Sequence, residues 1–179
     1  METLADYLDH DLRIVSVGLN PSLPSVRDGF YFSGKRNRFW RALNQSNLIS
    51  HSIEPSVSAM DSLLHKHRIG FTDTVKRPTA GAGDLRVADY REWVPVLEEK
   101  LLTYSPAVVW FHGKVAYSYY RRFSNLRLIG ETTWGAQDEC IGRSTVFVTP
   151  NPSPANAVFS LDDLIRCYNS LAQYVNEQC

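Results

Sequence analysis

Five short apolar runs alternate with longer stretches of helical periodicity, and that alternation restricts this chain more than any other property of its sequence. Residues 14–17, 69–75, 107–111, 126–129 and 145–149 read as strands, being short and rich in β-branched or aromatic side chains. Between and after them, residues 37–47, 56–67, 84–103, 115–123 and 161–175 place apolar side chains three and four apart, as amphipathic helices do. A short opening helix is expected over residues 4–8, residues 20–34 read as a loop, and Pro95 leaves the first part of the 84–103 helix open. Strands that alternate with helices return parallel to one another. The expectation is therefore a three-layer α/β/α domain with a mostly parallel central sheet. No linker, repeat or low-complexity segment divides the 179 residues, so one domain over 1–179 is expected.

Open sheets of this kind bind ligands at the carboxyl ends of their strands, so the residues that follow each strand carry the chemistry. The first strand runs into Gly18-Leu19-Asn20-Pro21-Ser22, which presents one uncharged amide at a tight turn. An amide offers an acceptor and a donor but is no strong base. Asn20 can therefore orient a water or bind a base edge without removing a proton as a carboxylate would. Downstream, Gly29-Phe30-Tyr31-Phe32 sets three aromatic rings beside the same strand end, where a ring either anchors the loop or stacks on a flat ligand. The last strand ends in Pro150-Asn151-Pro152-Ser153-Pro154, so two Asn-Pro turns are expected at one crevice, although Asn-Pro also initiates turns on its own account.

The strand over 107–111 is followed by His112-Gly113-Lys114 and a helix. Gly113 permits close backbone approach, and the free N–H groups of the helix start suit a phosphate, with Lys114 adding charge. His112 reads either as a general acid or as a hydrogen-bonded structural residue. Basic residues cluster at Lys35-Arg36-Asn37-Arg38, at Lys76-Arg77 and at Arg121-Arg122, each beside a strand-end loop. Such clusters serve phosphate contacts or are plain solvated surface.

Composition mainly excludes. Equal numbers of basic and acidic residues give a formal net charge of zero, so any polyanion site is a local patch. Three scattered cysteines, Cys140, Cys167 and Cys179, argue against a disulfide framework and have no zinc-ligand spacing. A reducing compartment, no metal and no cofactor are expected. No apolar run is long enough to span a membrane, and the N-terminus shows no signal pattern. Absent too are a Gly-rich phosphate fingerprint and a G-x-S-x-G elbow, which disfavours a small-molecule α/β enzyme.

Gly18-Leu19-Asn20-Pro21-Ser22, followed by Gly29-Phe30-Tyr31-Phe32 and Asn37-Arg38-Phe39-Trp40, resembles the mismatch-specific uracil/thymine-DNA glycosylases of the uracil-DNA glycosylase superfamily. Their pattern is G-I-N-P-G, a Gly- and aromatic-containing loop, then N-[RH]-F-W. The match continues in order through Gly70-Phe71-Thr72-Asp73 with Arg77-Pro78-Thr79, then His112-Gly113-Lys114, then Asn151-Pro152-Ser153. The resemblance implies a monofunctional glycosylase that flips a damaged or mismatched base out of duplex DNA and cuts its N-glycosidic bond with water. It implies that Asn20 positions the water, that Phe32 stacks on the base, and that backbone groups near Leu19 help to read its edge. Asp73 is a further candidate for base reading or water activation. Asn151, Ser153, Pro154, Ala155 and Asn156 form the loop expected to hold the DNA, and Lys35, Arg38, Gly113 and Lys114 are expected near phosphates. Partners are lesion-bearing duplex and, secondarily, single-stranded DNA. A monomer is expected, cytoplasmic in a bacterium or nuclear in a eukaryote.

Two positions depart from the family pattern. Ser22 stands where a glycine is common, adding bulk and a hydroxyl near the water site. The second motif continues Pro154-Ala155-Asn156-Ala157 rather than with a Gly and an apolar wedge, leaving Phe159 as the large apolar candidate. The alternative function is a non-catalytic member of the same fold that binds a nucleobase or DNA.

Overall fold

The computed structural model describes residues 1–126 and 130–178. Its strands are β1 (Ile14–Gly18), β2 (Ile69–Asp73), β3 (Val108–His112), β4 (Gly135–Ile141) and β5 (Ser144–Thr149), in the order β2-β1-β3-β5-β4. The helices are α1 (Leu23–Asp28), α2 (Phe39–Asn44), α3 (Val57–Lys66), α4 (Val87–Tyr104), α5 (Lys114–Phe123) and α6 (Leu161–Gln178). Strands β2, β1, β3 and β5 are parallel because helices connect them, whereas β4 is antiparallel to β5 across a two-residue turn at Gly142.

Side chains alternate across each strand, and that alternation builds two cores. Ile14, Ile69, Phe71, Val108 and Trp110 pack under α2, α3 and α6. Val15, Val17, Val109, Phe111 and Val146 pack under α4 and α5. The sheet is thus sandwiched between two helical layers. Trp110, fully buried in the first core, donates its indole N–H to Thr149 Oγ1 at 2.8 Å, so its polar atom is satisfied where water cannot reach.

The structure departs from the local expectations in places and settles others. Residues 4–8 form no helix. Tyr7 instead exchanges backbone hydrogen bonds of 2.9 and 2.8 Å with Phe71, covering the outer edge of β2. The loop after Asn20 contains α1, which Ser22 caps by accepting from the Ser25 N–H at 3.2 Å and which Gly29 ends at a φ of 80°. Pro95 lies inside α4 without ending it. It removes one hydrogen bond, to the carbonyl of Arg91, and Arg91 is exposed to water. The strand expected over 126–129 falls, beyond Leu126, outside the described residues. An unanticipated edge strand, β4, buries only alternate side chains and so lacks an apolar run.

Candidate active site

The carboxyl ends of β1, β2 and β3 open into one cleft of about 460 Å³, lined by Asn20, Phe32, Asp73 and His112 on one side and by Asn151, Ser153 and Pro154 on the other. Both Asn-Pro turns reach it. The Asn20 side chain is held by donation from Nδ2 to the Arg77 carbonyl at 3.0 Å and to Thr79 Oγ1 at 2.8 Å. Thr79 in turn donates to the Gly81 carbonyl, so its hydroxyl oxygen is available as an acceptor. This network fixes which way the amide points. Both Nδ2 hydrogens are used, and Oδ1 is left as the acceptor that a water can meet.

The Ser22 hydroxyl is occupied by the α1 cap and by donation to Ser25 Oγ at 3.0 Å. It therefore serves the helix, which removes the hydroxyl expected beside the water site. The Leu19 carbonyl accepts from the Val75 N–H at 2.9 Å, which withdraws it from the groups that could read a base edge.

Phe32 holds a φ of 57°, an unusual conformation for a bulky residue. One face of its ring stacks on Phe39 with centroids 4.3 Å apart. The ring itself is only partly buried and borders the cleft, so a second flat group can lie on it. Asp73 sits beside this platform. A Cβ placed on Gly18 would come within 2.6 Å of Asp73 Oδ1, so only glycine at position 18 admits the carboxylate there. Burial pushes the Asp73 carboxyl up to about 6, against the pull of Lys76, whose Nζ lies 3.5 Å from Oδ2. Asp73 Oδ2 has no hydrogen-bond partner.

Behind Asp73 lies an ion-pair chain that joins distant parts of the sequence. Lys76 pairs with Asp6 at 2.9 Å and touches Tyr31 Oη at 3.2 Å, and Lys100 reaches Asp6 at 2.6 Å. Burial works to raise the Asp6 carboxyl, but the two lysines outweigh it and hold it below the usual range. Lys76 is therefore a buried partner of carboxylates rather than a phosphate contact. Arg77 is likewise engaged by Asp89 at 2.7 Å, and Arg121 by Glu139 at 2.8 Å. Of the three basic clusters, Lys35 and Arg36 remain exposed at the cleft rim, and among the described residues neither forms an ion pair.

Arg38 is turned inward. Its guanidinium donates to the carbonyls of Pro152 (3.4 Å), Ser153 (3.2 Å), Asn156 (2.8 Å) and Phe159, and its backbone N–H also reaches the Pro152 carbonyl. With four of its five guanidinium N–H groups given to the loop, Arg38 is placed as a clamp rather than as the phosphate ligand expected from its basic neighbours. The loop also closes on itself: Asn151 Oδ1 accepts from the Ser153 N–H, and Asn156 Nδ2 donates to the Asn151 carbonyl. Asn156 is thus an internal brace, which leaves Pro154 and Ala155 as the exposed tip. Phe159 packs edge-on against Trp134 with centroids 5.3 Å apart, while Val158 is 85% exposed.

At the end of β3, Gly113 has a φ of 96°, and a Cβ there would meet Asn151 Cβ at 3.3 Å, so glycine lets the two strand ends pack together. Its N–H is already given to the Thr149 carbonyl at 2.6 Å and is not free for a phosphate. Lys114 Nζ lies 4.5 Å from the centre of the half-exposed Trp134 ring, a cation–π contact at the rim. His112 is fully buried against Phe32 and Trp110 and bonded through Nε2 to Ser16 Oγ at 2.8 Å. Burial pushes its imidazole down to about 3, so it is neutral near pH 7 and does not act as a general acid. Among the described residues, no three of His, Cys, Asp and Glu come together as a metal-ligand set.

Residues 5–172 match the family model of the uracil DNA glycosylase superfamily. The solution structure of a protein from Methanosarcina acetivorans, provisionally named a uracil DNA glycosylase, superposes with a TM-score of 0.61 at 21% identity, covering 98% of each chain. That likeness establishes the same fold.

Proposed function

The chain belongs to the uracil DNA glycosylase superfamily, and on that premise we propose that it excises uracil from DNA as a monofunctional glycosylase in base excision repair. Thymine and other deaminated bases opposite guanine are further substrates. The observation that carries the reading is the Asn20 amide. Both of its N–H groups are tied to Arg77 and Thr79, so Oδ1 is the group offered to water in a cleft that also holds a stacking ring.

The reaction follows from that arrangement. The flipped base lies on the free face of Phe32, and base–aromatic stacking of this kind is worth roughly 1–3 kcal/mol. Asn20 Oδ1 accepts a hydrogen from a water and aims the water's lone pair at C1′ of the deoxyribose. As the C1′–N bond breaks, its electron pair leaves with the base and the sugar takes oxocarbenium character. The water supplies hydroxyl to C1′, and its remaining proton neutralises the base. No strong base is needed, because positioning and fixed dipoles lower the barrier. Asp73 accepts an N–H from the base edge in its ionised form, the dominant one above about pH 6. The Asn151 loop, held by Arg38, braces the open duplex, and Lys35, Arg36 and Lys114 meet phosphates.

The test is to incubate the protein with duplexes carrying U·G, U·A, T·G and hypoxanthine·T, and with single-stranded uracil DNA, then to cleave abasic sites with alkali. Strand breaks at uracil are expected, strongest in U·G. DNA binding without breaks on any substrate would replace this reading with that of a non-catalytic nucleobase- or DNA-binding member of the family.

A further inference from the structure

Two ammonium groups and two carboxylates, drawn from three distant parts of the chain, close into one cluster behind the cleft. Lys76, with a side chain only 6% exposed, lies between the carboxylates: its Nζ is 2.9 Å from Asp6 Oδ1 and 3.5 Å from Asp73 Oδ2. Tyr31 Oη is its remaining near neighbour at 3.2 Å, and that hydroxyl donates in turn to the Ala5 carbonyl at 2.9 Å. Asp6 is engaged at both oxygens, since Oδ1 also accepts from Thr72 Oγ1 at 2.7 Å and Oδ2 accepts from Lys100 at 2.6 Å. The segment that carries Asp6 is fixed along the edge of β2 by the Tyr7–Phe71 backbone pair and by donation from Thr3 Oγ1 to the Lys76 carbonyl. The bond-breaking steps leave Lys76, Asp6 and Lys100 without a part.

The cluster divides the two oxygens of Asp73. Oδ2 faces Lys76, whereas Oδ1 lies against Gly18, where an added Cβ would stand 2.6 Å from Oδ1 and 3.9 Å from Phe32 Cζ. Oδ1 is thus the oxygen on the side where the base stacks. We propose that Lys76 is a positioning residue for excision: it holds Asp73 Oδ2 on the protein side and keeps Oδ1 charged and turned to the base, while Asp6 shares Lys76 and limits that pull. The proposal rests on the glycosylase reading, and it extends the site to the segment around residue 6. Charge balance supports it. With Asp73 ionised, the charges of Asp6, Asp73, Lys76 and Lys100 cancel, whereas protonating Asp73 leaves a surplus of positive charge out of reach of bulk water. Burial raises the Asp73 carboxyl to about 6, Lys76 pulls it down, Asp6 pushes it up, and Lys100 adds a weaker downward pull. Burial keeps Tyr31 neutral, as it does His112 in the same wall, and Lys35 and Arg36 stand at the exposed rim.

The test is the pH profile of single-turnover uracil excision from a U·G duplex by wild type, Lys76→Met and Asp6→Asn. The wild-type rate should rise with a midpoint near pH 6. Without the ammonium that midpoint is expected to move up by about one unit or more. Lys76→Met should then lose about tenfold or more in rate below about pH 6 and recover as the pH reaches about 8. Asp6→Asn leaves Lys76 to Asp73 alone and should move the midpoint down. Opposite shifts from two members of one cluster mark coupling through charge, because a purely structural role would lower the rate by the same factor at every pH. Midpoints that stay in place, or that move in the same direction, overturn the proposal while leaving the glycosylase intact. A wild type that excises nothing overturns both. Should Lys76→Met fold poorly, carbon NMR of the Asp73 carboxyl in wild type and Asp6→Asn decides independently of activity: a lower midpoint in Asp6→Asn supports the proposal, and an equal or higher one refutes it.

Discussion

The two Asn-Pro turns meet at one cleft but are held in place by different means. The first continues a central strand, and its Asn20 amide is tied to the backbone and side chain of residues 77 and 79, with Ser22 capping the helix beyond. The second is an irregular stretch whose four carbonyls converge on the single guanidinium of Arg38. A turn anchored in the sheet can hold a water to a fraction of an ångström, as attack at C1′ requires. A loop held by one guanidinium and by its own internal hydrogen bonds suits the part that must accommodate an opened duplex. Under the proposed function, the difference assigns bond cleavage to the first turn and retention of the flipped state to the second.

Substitutions can break that division. Asn20→Ala should lower single-turnover excision by about 100-fold or more while abasic-duplex affinity stays within about twofold, because it deletes the water's acceptor and no DNA contact. Asp73→Asn probes the wall beside the first turn. The folded-state carboxyl titrates near 6, above the ordinary value of about 4, so the folded protein binds that proton more tightly than the unfolded chain. Its contribution to stability is therefore greatest below about pH 4, is lost as pH rises to about 6, and is flat beyond. Denaturant melts should show Asp73→Asn gaining on the order of 2 kcal/mol relative to wild type between pH 4 and pH 8. Excision by wild type should rise through about pH 6, and the rise should be absent in Asp73→Asn. Arg38→Ala should weaken abasic-duplex binding by about tenfold, the cost of ordering a loop no longer held in place. Ser22→Ala should cost about 1 kcal/mol of stability, the usual value of a helix cap, and leave the excision rate nearly unchanged.

The sheet and the first turn are legible in the sequence because both are local. An apolar run punctuated by Gly18 and Pro21 marks a strand end whatever lies elsewhere, and alternation of strands with helices then sets the layers. Helix α1 was hidden by composition: Ser22, Pro24 and Gly29 mark a cap, a first turn and a stop, yet the same residue types also mark loops. Strand β4 escaped because an exposed edge needs no apolar run. Arg38 and Lys76 illustrate the deeper difficulty. Each stands in a basic cluster, and their neighbours suggest phosphate, but their partners are the carbonyls of residues 152–159 and the carboxylate of Asp6, distant in sequence. The local pattern supplies the charge, and only the fold shows where that charge is spent.

One experiment separates the two turns most directly. A U·G duplex carrying 2-aminopurine beside the uracil reports base flipping by stopped-flow fluorescence, while cleavage is followed in the same mixtures. Asn20→Ala is expected to give the full flipping signal with almost no excision, and Arg38→Ala a reduced signal with excision reduced in proportion. If Asn20→Ala loses the flipping signal as well, or if Arg38→Ala flips normally and cuts slowly, the assignment of chemistry to the first turn and retention to the second is wrong.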